Sequence, residues 1–191
     1  MFSQALSFLL STFLNLFVIA ALLRFHMQWL HAPFRNPFAH FVVAITDFAV
    51  KPLRRIIPGL WGLDLPTLLL AWFVEFVLLI STRALEGYPF LIVPATVFLG
   101  FALLAAVELF RFSLYILIAV VFVQALLSWV NPYNPLSPLL NSLGGPFLRV
   151  FQRYIPPIGN VDLSPLFLFV LCQLTLMLPV SWLEQLALSL T

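Results

Sequence analysis

The sequence predicts an all-α, polytopic helical membrane protein made of two tandem repeats. Each repeat is a membrane helix, an amphipathic loop and a second membrane helix, which gives four to five membrane segments in total. Hydrophobic residues occupy 63% of the 191 positions and charged residues only 8%, against about 45–50% and about 25% in soluble domains. The apolar residues form long runs, and the motifs between these runs occur twice.

This composition excludes a soluble globular enzyme, a disordered tail and a disulfide scaffold, because so few charges cannot cover the surface of a folded chain of this length. Nine Lys and Arg against seven Asp and Glu leave a net charge of +2, without a basic run of the kind that binds nucleic acid. The single cysteine, Cys172, excludes an intramolecular disulfide and is expected to be a buried thiol.

Four stretches are apolar enough to cross about 30 Å of hydrocarbon, which takes about 20 residues. They cover residues 5–23, 65–85, 90–130 and 165–186. The first has no basic residue before it, so we interpret it as an uncleaved membrane helix. The third is too long for one ordinary span. It either divides near Glu108 and Arg111 or begins with a short interfacial or re-entrant piece. Pro179 is expected to kink the last stretch.

An internal repeat organises the chain. Three dipeptides recur 98 positions later, and the pairs are Asn36-Pro37 with Asn134-Pro135, Ile57-Pro58 with Ile155-Pro156, and Asp64-Leu65 with Asp162-Leu163. The matches predict a first repeat over residues 1–87, an apolar linker over 88–104 and a second repeat over 105–191.

Each loop contains an amphipathic helix, with apolar residues at i, i+3 and i+4 from Phe38 to Ile56 and from Leu136 to Tyr154. Pro52 and Pro146 are expected to bend or split these helices. Basic residues gather near one end of each helix, at Lys51, Arg54, Arg55, Arg149 and Arg153. Such helices lie in the headgroup plane. Their cations serve either simple membrane packing or the docking of a partner.

An aspartate precedes each of the following membrane helices, at Asp64 and at Asp162. Ser164-Pro165 predicts an N-cap followed by proline at the first helical position, and both aspartates place negative charge at the positive end of a helix. We interpret Asp64 and Asp162 as capping residues. The alternative is that they bind an ion or a partner.

The loops carry seven of the nine basic residues, so the positive-inside rule places them in the cytoplasm. Both loops can be cytoplasmic only if an even number of spans separates them. This condition favours four full spans, parallel repeats and both termini outside. If residues 88–104 also cross the membrane, the chain has five spans and inverted repeats, which is a common plan in transporters.

Glu75 is the most unusual residue, because it lies ten residues into the second apolar stretch, near the middle of the membrane. A carboxyl group there costs about 2.5–3.5 kcal/mol on insertion scales, so it needs a partner or a wet cavity. Its repeat equivalent is Gln173, which predicts a polar spot where the repeats meet. This spot either orients the helices through a hydrogen bond, forms an ion or proton relay, or makes an oligomer contact.

The other ionisable residues give weaker signals. Glu108 and Arg111 are spaced to pair on a helix, and we interpret them as marking a membrane boundary. The histidines, His26, His31 and His40, lack metal-ligand spacing and are interpreted as interfacial. The sequence contains no catalytic or nucleotide-binding motif. It therefore predicts no enzyme, no cofactor and no metal site.

The repeated motifs resemble the YggT repeat. In the second unit they are Ser128-Trp129-Val130-Asn131-Pro132, Asn134-Pro135, Gly145-Pro146-Phe147-Leu148-Arg149, Ile155-Pro156-Pro157-Ile158-Gly159 and Asp162-Leu163-Ser164-Pro165. The first unit carries a variant at Asn36-Pro37-Phe38, Lys51-Pro52-Leu53-Arg54-Arg55 and Gly62-Leu63-Asp64. Val150 and Gln152 depart from the family pattern, in which proline and arginine are usual.

The resemblance implies a multi-pass bacterial inner-membrane protein without an established enzymatic activity. Members of the family are linked to maturation of the b-type cytochrome complex in chloroplasts, to cell division or nucleoid placement, and to osmotic and potassium phenotypes. We therefore expect a non-enzymatic scaffold or assembly factor that acts through its two loops. The alternative is a small transporter or channel component in osmotic or potassium homeostasis. The expected partners are the lipid bilayer and other inner-membrane proteins, with no direct nucleic-acid binding; a homo-oligomer is also possible.

Overall fold

The computed structural model describes residues 2–59, 62–131, 134–155 and 162–191. Most of these residues belong to seven α-helices and one π-helical turn. In chain order they are α1 (Phe2–Trp29), α2 (Pro37–Ile56), α3 (Leu65–Leu85), α4 (Thr96–Val130), α5 (Ser137–Gln152), α6 (Ser164–Thr175), the π-turn (Leu176–Val180) and α7 (Ser181–Leu188). Some motif positions lie outside the described residues, namely Pro132, Pro156, Pro157, Ile158 and Gly159, together with the side chain of Trp129.

Four helical segments are long and apolar enough to cross a membrane: α1, α3, α4 and the continuous unit from α6 to α7. The predicted all-α, multi-pass fold class is therefore confirmed. Pro179 lies inside the π-turn of the last span, where its missing N–H interrupts the regular ladder. The Ser181 hydroxyl donates to the carbonyl oxygen of Leu176 at 3.1 Å across this turn.

α4 is one unbroken helix of 35 residues, about 52 Å long at 1.5 Å per residue. The option of a division near Glu108 and Arg111 is therefore wrong. Residues 96–104 of the expected linker form the first turns of α4, so a short segment, 86–95, connects α3 to α4. The described residues contain no separate fifth span. Because α4 is longer than the hydrocarbon core of about 30 Å, it must tilt or project beyond it.

The two loops lie at the same end of the bundle. Arg54 of α2 bonds both Gln28, near the end of α1, and Asp64, just before α3, so α1 and α3 run antiparallel. At this end α1, α2, α4 and α5 share one buried apolar cluster, which includes Met27, Ala39, Val120 and Leu139. Parallel repeats place both loops at one end in this way, whereas inverted repeats would place them at opposite ends.

The amphipathic helices α2 and α5 continue through Pro52 and Pro146. Neither helix is split there, so the expectation of a split is wrong. The recurring Asn-Pro dipeptide has a local role at the start of each helix. Asn36 Oδ1 accepts from the N–H of Ala39 at 2.8 Å, and Asn134 Oδ1 accepts from the N–H of Leu136 at 2.8 Å. The repeat has therefore kept a side chain that satisfies a free backbone donor.

Candidate functional site

Glu75 lies inside the bundle on α3, as its position in the apolar stretch predicts. It is 3% exposed, and its Oε2 atom has no hydrogen-bond partner in the part of the chain that the structure describes. A buried charge without a partner is much more costly than a bonded one. The charged form of Glu75 is therefore strongly disfavoured unless another group compensates it.

Gln173, the repeat equivalent of Glu75, does not lie beside it. Gln173 is exposed on α6, and the described residues of α3 and α6 do not contact each other. The equivalence fails because α3 packs against α1, α2 and α4, whereas α6 is an outer helix that packs on α4 and α5. The same repeat position thus faces the interior in one unit and the exterior in the other.

Three residues of the second repeat, Glu108, Arg111 and Glu184, form a charged triad near Glu75. Arg111 Nη1 donates to Glu108 Oε1 at 2.6 Å, and Nη2 donates to Glu184 Oε2 on α7. The pairing of Glu108 with Arg111 is as predicted. The contact between Arg111 and Glu184 was not predicted, because the π-turn before α7 alters which side chains of α7 face α4. Glu108 lies on α4, which packs against α3, within electrostatic range of Glu75. Glu75 of the first repeat therefore lies near charged side chains of the second repeat, and Gln173 is not one of them.

Asn15 contributes a second unpartnered oxygen at this level. Val18, Ala71 and Leu109 form one buried cluster between α1, α3 and α4. Asn15 lies one turn before Val18, and Glu75 lies one turn after Ala71, so the antiparallel register places the two polar side chains at the same height. The Oδ1 atom of Asn15 is buried and has no partner among the described residues. No prediction above includes Asn15, although an amide inside an apolar run is a visible signal in the sequence.

Arg54 and Asp64 form a clamp at the end of the first loop. Arg54 donates to both carboxylate oxygens of Asp64 and, at 2.9 Å, to Gln28 Oε1. The Thr67 hydroxyl also donates to Asp64. Burial raises the pKa of Asp64, but the hydrogen bonds from Arg54 and Thr67 outweigh burial and leave the pKa below its ordinary value. The clamp joins the ends of α1, α2 and α3.

The second repeat keeps this clamp with a neutral donor. Gln152 Nε2 donates to Asp162 Oδ2 at 2.8 Å, at the positions equivalent to Arg54 and Asp64. Burial raises the pKa of Asp162, but hydrogen bonds from the backbone N–H of Ser164 and from Gln152 outweigh burial and leave the pKa below its ordinary value. Gln152 departs from the family pattern, and it preserves the contact while removing the charge.

The helix-start predictions hold only in part. Asp64 occupies the N-cap position of α3, but its carboxylate makes no capping bond to a backbone N–H. Ser164 is the first residue of α6 and Pro165 the second, so the N-cap expected at Ser164 lies at Leu163. The reason is that Asp162 Oδ1, rather than the serine hydroxyl, accepts from a free backbone donor, the N–H of Ser164, at 2.9 Å.

Arg24, one of the seven basic residues counted with the loops, is buried and fixes α2 to α1 through an ion pair with Asp47. Arg24 is 4% exposed, and its Nη1 atom donates to Asp47 Oδ1 at 2.9 Å and to Thr46 Oγ1 at 2.8 Å. Lys51 Nζ lies 2.7 Å from Asp47 Oδ2. The hydrogen bond from Lys51, assisted by Arg24, holds the pKa of Asp47 below its ordinary value.

Each loop helix ends in an exposed group of arginine and apolar side chains, and the two groups together are called the interfacial surface. They are Arg55, Phe48 and Ile56 on α2, and Arg149, Arg153, Val150 and Tyr154 at the end of α5. All seven residues are exposed. The three arginines have no carboxylate partner among the described residues, although Arg149 Nε donates to the carbonyl oxygen of Gly145 at 3.2 Å. Arg54 differs from them because Asp64 neutralises it. The outward charge of the loops thus lies on these three predicted site residues and on Arg35, which is also exposed.

The histidines and the cysteine add no site in the described part of the chain. No group of His, Cys, Asp and Glu side chains there could hold a metal ion. His26 Nδ1 lies 2.6 Å from the carbonyl oxygen of Leu22, one turn earlier on α1. Cys172 is buried, as predicted, in an apolar cluster with Val121 and Leu168.

The arrangement of two loop-bearing repeats matches a known family. The family model described as CCB3/YggT matches residues 3–85 and 103–183, one segment for each repeat. The chain belongs to the CCB3/YggT family. The expected resemblance and the duplication are therefore confirmed, and the chain is a helical, membrane-type member of this family.

Relatives from several bacteria cover most of this CCB3/YggT chain. The protein YggT of Escherichia coli strain K12 is 35% identical over 170 residues, which are 88% of this chain and 85% of that protein. A protein of Pseudomonas aeruginosa is 36% identical over 183 residues, with 94% and 90% covered. A protein of Vibrio alginolyticus is 34% identical over 171 residues, with 87% and 89% covered. All three are described as uncharacterised, and none has an enzyme name. No solved structure matches the chain.

Proposed function

We propose that this CCB3/YggT protein is a non-enzymatic scaffold or assembly factor of the bacterial inner membrane, which binds other membrane proteins at its interfacial surface. The observation that carries the proposal is the division of the loop arginines into two groups. Arg24 and Arg54 point inward and hold the loops on the bundle. Arg55 and Arg153, which are repeat equivalents, point outward without an internal carboxylate partner in the described residues. The outward pair is therefore free for another molecule.

The chemistry of this surface indicates the kind of partner. Phe48 and Tyr154 are more than 70% exposed, and they lie beside cations at one end of a membrane bundle. Aromatic and arginine side chains are the ones enriched in binding interfaces. A matching partner is an inner-membrane protein that presents acidic residues beside apolar ones at the cytoplasmic headgroup level. Anionic lipids compete for the same cations.

Photo-crosslinking in living cells tests the proposal. A photoreactive residue at Ile56 or Tyr154, each next to an outward arginine, should form discrete adducts with defined membrane proteins. The same residue at Leu91, which is fully exposed in the segment between α3 and α4, is the matched position control. The adducts should disappear in Arg55→Glu and Arg153→Glu, because charge reversal repels an acidic partner.

Arg83→Glu provides the matched charge control, because Arg83 is exposed and belongs to α3 rather than to a loop. It should leave the adducts intact, and all three variants should still insert into the membrane. Protein adducts that persist in Arg55→Glu and Arg153→Glu would contradict the proposal. Adducts with lipid alone would also contradict it and would reduce the surface to a membrane anchor.

A small transporter or channel component, linked to osmotic or potassium homeostasis, is the second candidate function. Glu75 favours it, because a buried carboxyl group without a partner is a feature of ion and proton pathways. Flux of protons or potassium into liposomes should then depend on the protein and be lost in both Glu75→Gln and Glu75→Leu. The scaffold function predicts no flux and a nearly silent Glu75→Gln, since glutamine keeps the shape and the hydrogen-bonding capacity of the side chain.

A further inference from the structure

We propose that Glu75 is a proton-binding site inside the membrane bundle, completed by Asn15 and the charged triad of Glu108, Arg111 and Glu184. This site is independent of the docking function proposed above. Glu75 is almost fully buried on α3, and its Oε2 atom has no hydrogen-bond donor among the described residues. The surrounding helices therefore leave a negative charge on this carboxyl group without compensation.

The charged and polar groups that face Glu75 come from two of the three helices packed against α3. Helix α1 contributes the amide of Asn15 at the same height, and α4 contributes Glu108 and Arg111. Arg111 is the cation of this region, and it is already bonded to Glu108 and to Glu184 of α7. The charged groups of α2 lie toward the loop end, where Asp47, Lys51 and Arg54 form ion pairs and Arg55 is exposed.

The charge count in this region leaves an excess of carboxyl groups. The region contains the carboxyl groups of Glu75, Glu108 and Glu184 and the guanidinium of Arg111. Arg111 bonds Glu108 and Glu184, and it does not bond Glu75. Ionised Glu75 would also face the negative charge of Glu108. Two neighbouring carboxylates in a medium of low dielectric constant cannot both ionise without a large cost. Binding of one proton to Glu75 removes this repulsion.

A proton suits this arrangement better than a metal ion. Hard cations need several oxygen ligands, and the charge of Arg111 opposes a second cation in the same region. Protonation turns one oxygen of Glu75 into an O–H donor. The antiparallel register of α1 and α3 places the unpartnered Oδ1 atom of Asn15 at the height of Glu75, where it can accept a hydrogen bond from this donor. The step is the addition of one proton to the Glu75 carboxylate, without any other bond formed or broken.

Infrared spectroscopy of the full-length protein in lipid bilayers tests the site. The wild type should show the C=O stretching band of a protonated carboxylic acid at neutral pH. The band should vanish in Glu75→Gln and persist in Glu86→Gln, which changes an exposed glutamate near the end of α3. In Asn15→Leu the band should shift to higher frequency, because the acid loses its hydrogen-bond acceptor. A wild-type spectrum without this band at neutral pH would overturn the proposal, as would a band that survives in Glu75→Gln.

A chemical measurement on the unmodified chain keeps the test valid if Glu75→Gln does not fold. Dicyclohexylcarbodiimide is apolar and reacts with protonated carboxyl groups inside membranes to give a stable acylurea. Peptide mass spectrometry should locate the adduct at Glu75 in membranes at neutral pH, with less adduct as the pH is raised. The exposed Glu86 serves as the internal control and should stay unmodified. An adduct at Glu86 but none at Glu75 would contradict the site.

Discussion

Removal of Asp47 should loosen α2 from the membrane bundle. Asp47→Ala deletes the carboxylate that lies 2.9 Å from Arg24, whose side chain is only 5% exposed. Breaking a fully buried ion pair costs about 3–5 kcal/mol, because the remaining charge is left without compensation. The side chain of Asp47 is 22% exposed, and Arg24 keeps its bond to Thr46 at 2.8 Å. We therefore expect a loss of about 2–3 kcal/mol in the free energy of unfolding.

Lys51→Ala is the matched control for this prediction. Lys51 bonds the other carboxylate oxygen of Asp47, but its side chain is 70% exposed. Such exposed pairs contribute about 0.2–1 kcal/mol, so Lys51→Ala should cost far less than Asp47→Ala. Replacing Arg24 and Asp47 together by leucine should recover part of the loss, because no uncompensated charge then remains.

The free energy of unfolding can be measured by titration with denaturing detergent, followed by far-UV circular dichroism. A cysteine at Val50, which is fully buried on α2, reports local release of this helix by its reaction with a thiol reagent. The native Cys172 is buried and gives a low background. A cost for Asp47→Ala below about 1 kcal/mol, the range of surface pairs, would refute the reasoning. An equal cost for Lys51→Ala would do the same.

Three further predictions concern packing, topology and pH. Gly100→Ala should cost about 1–3 kcal/mol in the same titration, because the new Cβ would lie 3.0 Å from the backbone oxygen of Ala187 and 3.0 Å from Cβ of Leu190, whereas Gly145→Ala meets nothing within 4 Å and should be tolerated. Cysteines at Phe48 and Val150 should both resist an impermeant thiol reagent in intact cells; labelling of only one would exclude parallel repeats. Because the native pKa of Asp64 lies below its ordinary value of 3.8, its stabilisation is complete above pH 3.8 and lost as the pH falls further. Stability measured against pH should therefore fall less steeply below pH 3.8 in Asp64→Asn.

Some features of this protein follow from the sequence by itself. The fold class follows from the low charge and the long apolar runs, because a bilayer demands spans of about 20 apolar residues whatever their partners are. The repeat is visible because its motifs are local: Asn36 and Asn134 each satisfy a backbone donor within three residues. The pair of Glu108 and Arg111 is also predictable, since i and i+3 side chains are neighbours on any helix.

Other features were decided only by the tertiary structure. The partner of a polar side chain inside a bundle depends on which helices enclose it, and the two repeats differ in this respect. α3 is enclosed and places Glu75 beside α4, whereas α6 lies outside and exposes Gln173. Glu184 meets Arg111 across 73 positions of sequence, and Arg24 meets Asp47 across a loop. Such contacts depend on the tilt and rotation of whole helices, which arise from the packing of all of them together and leave no local pattern in the sequence.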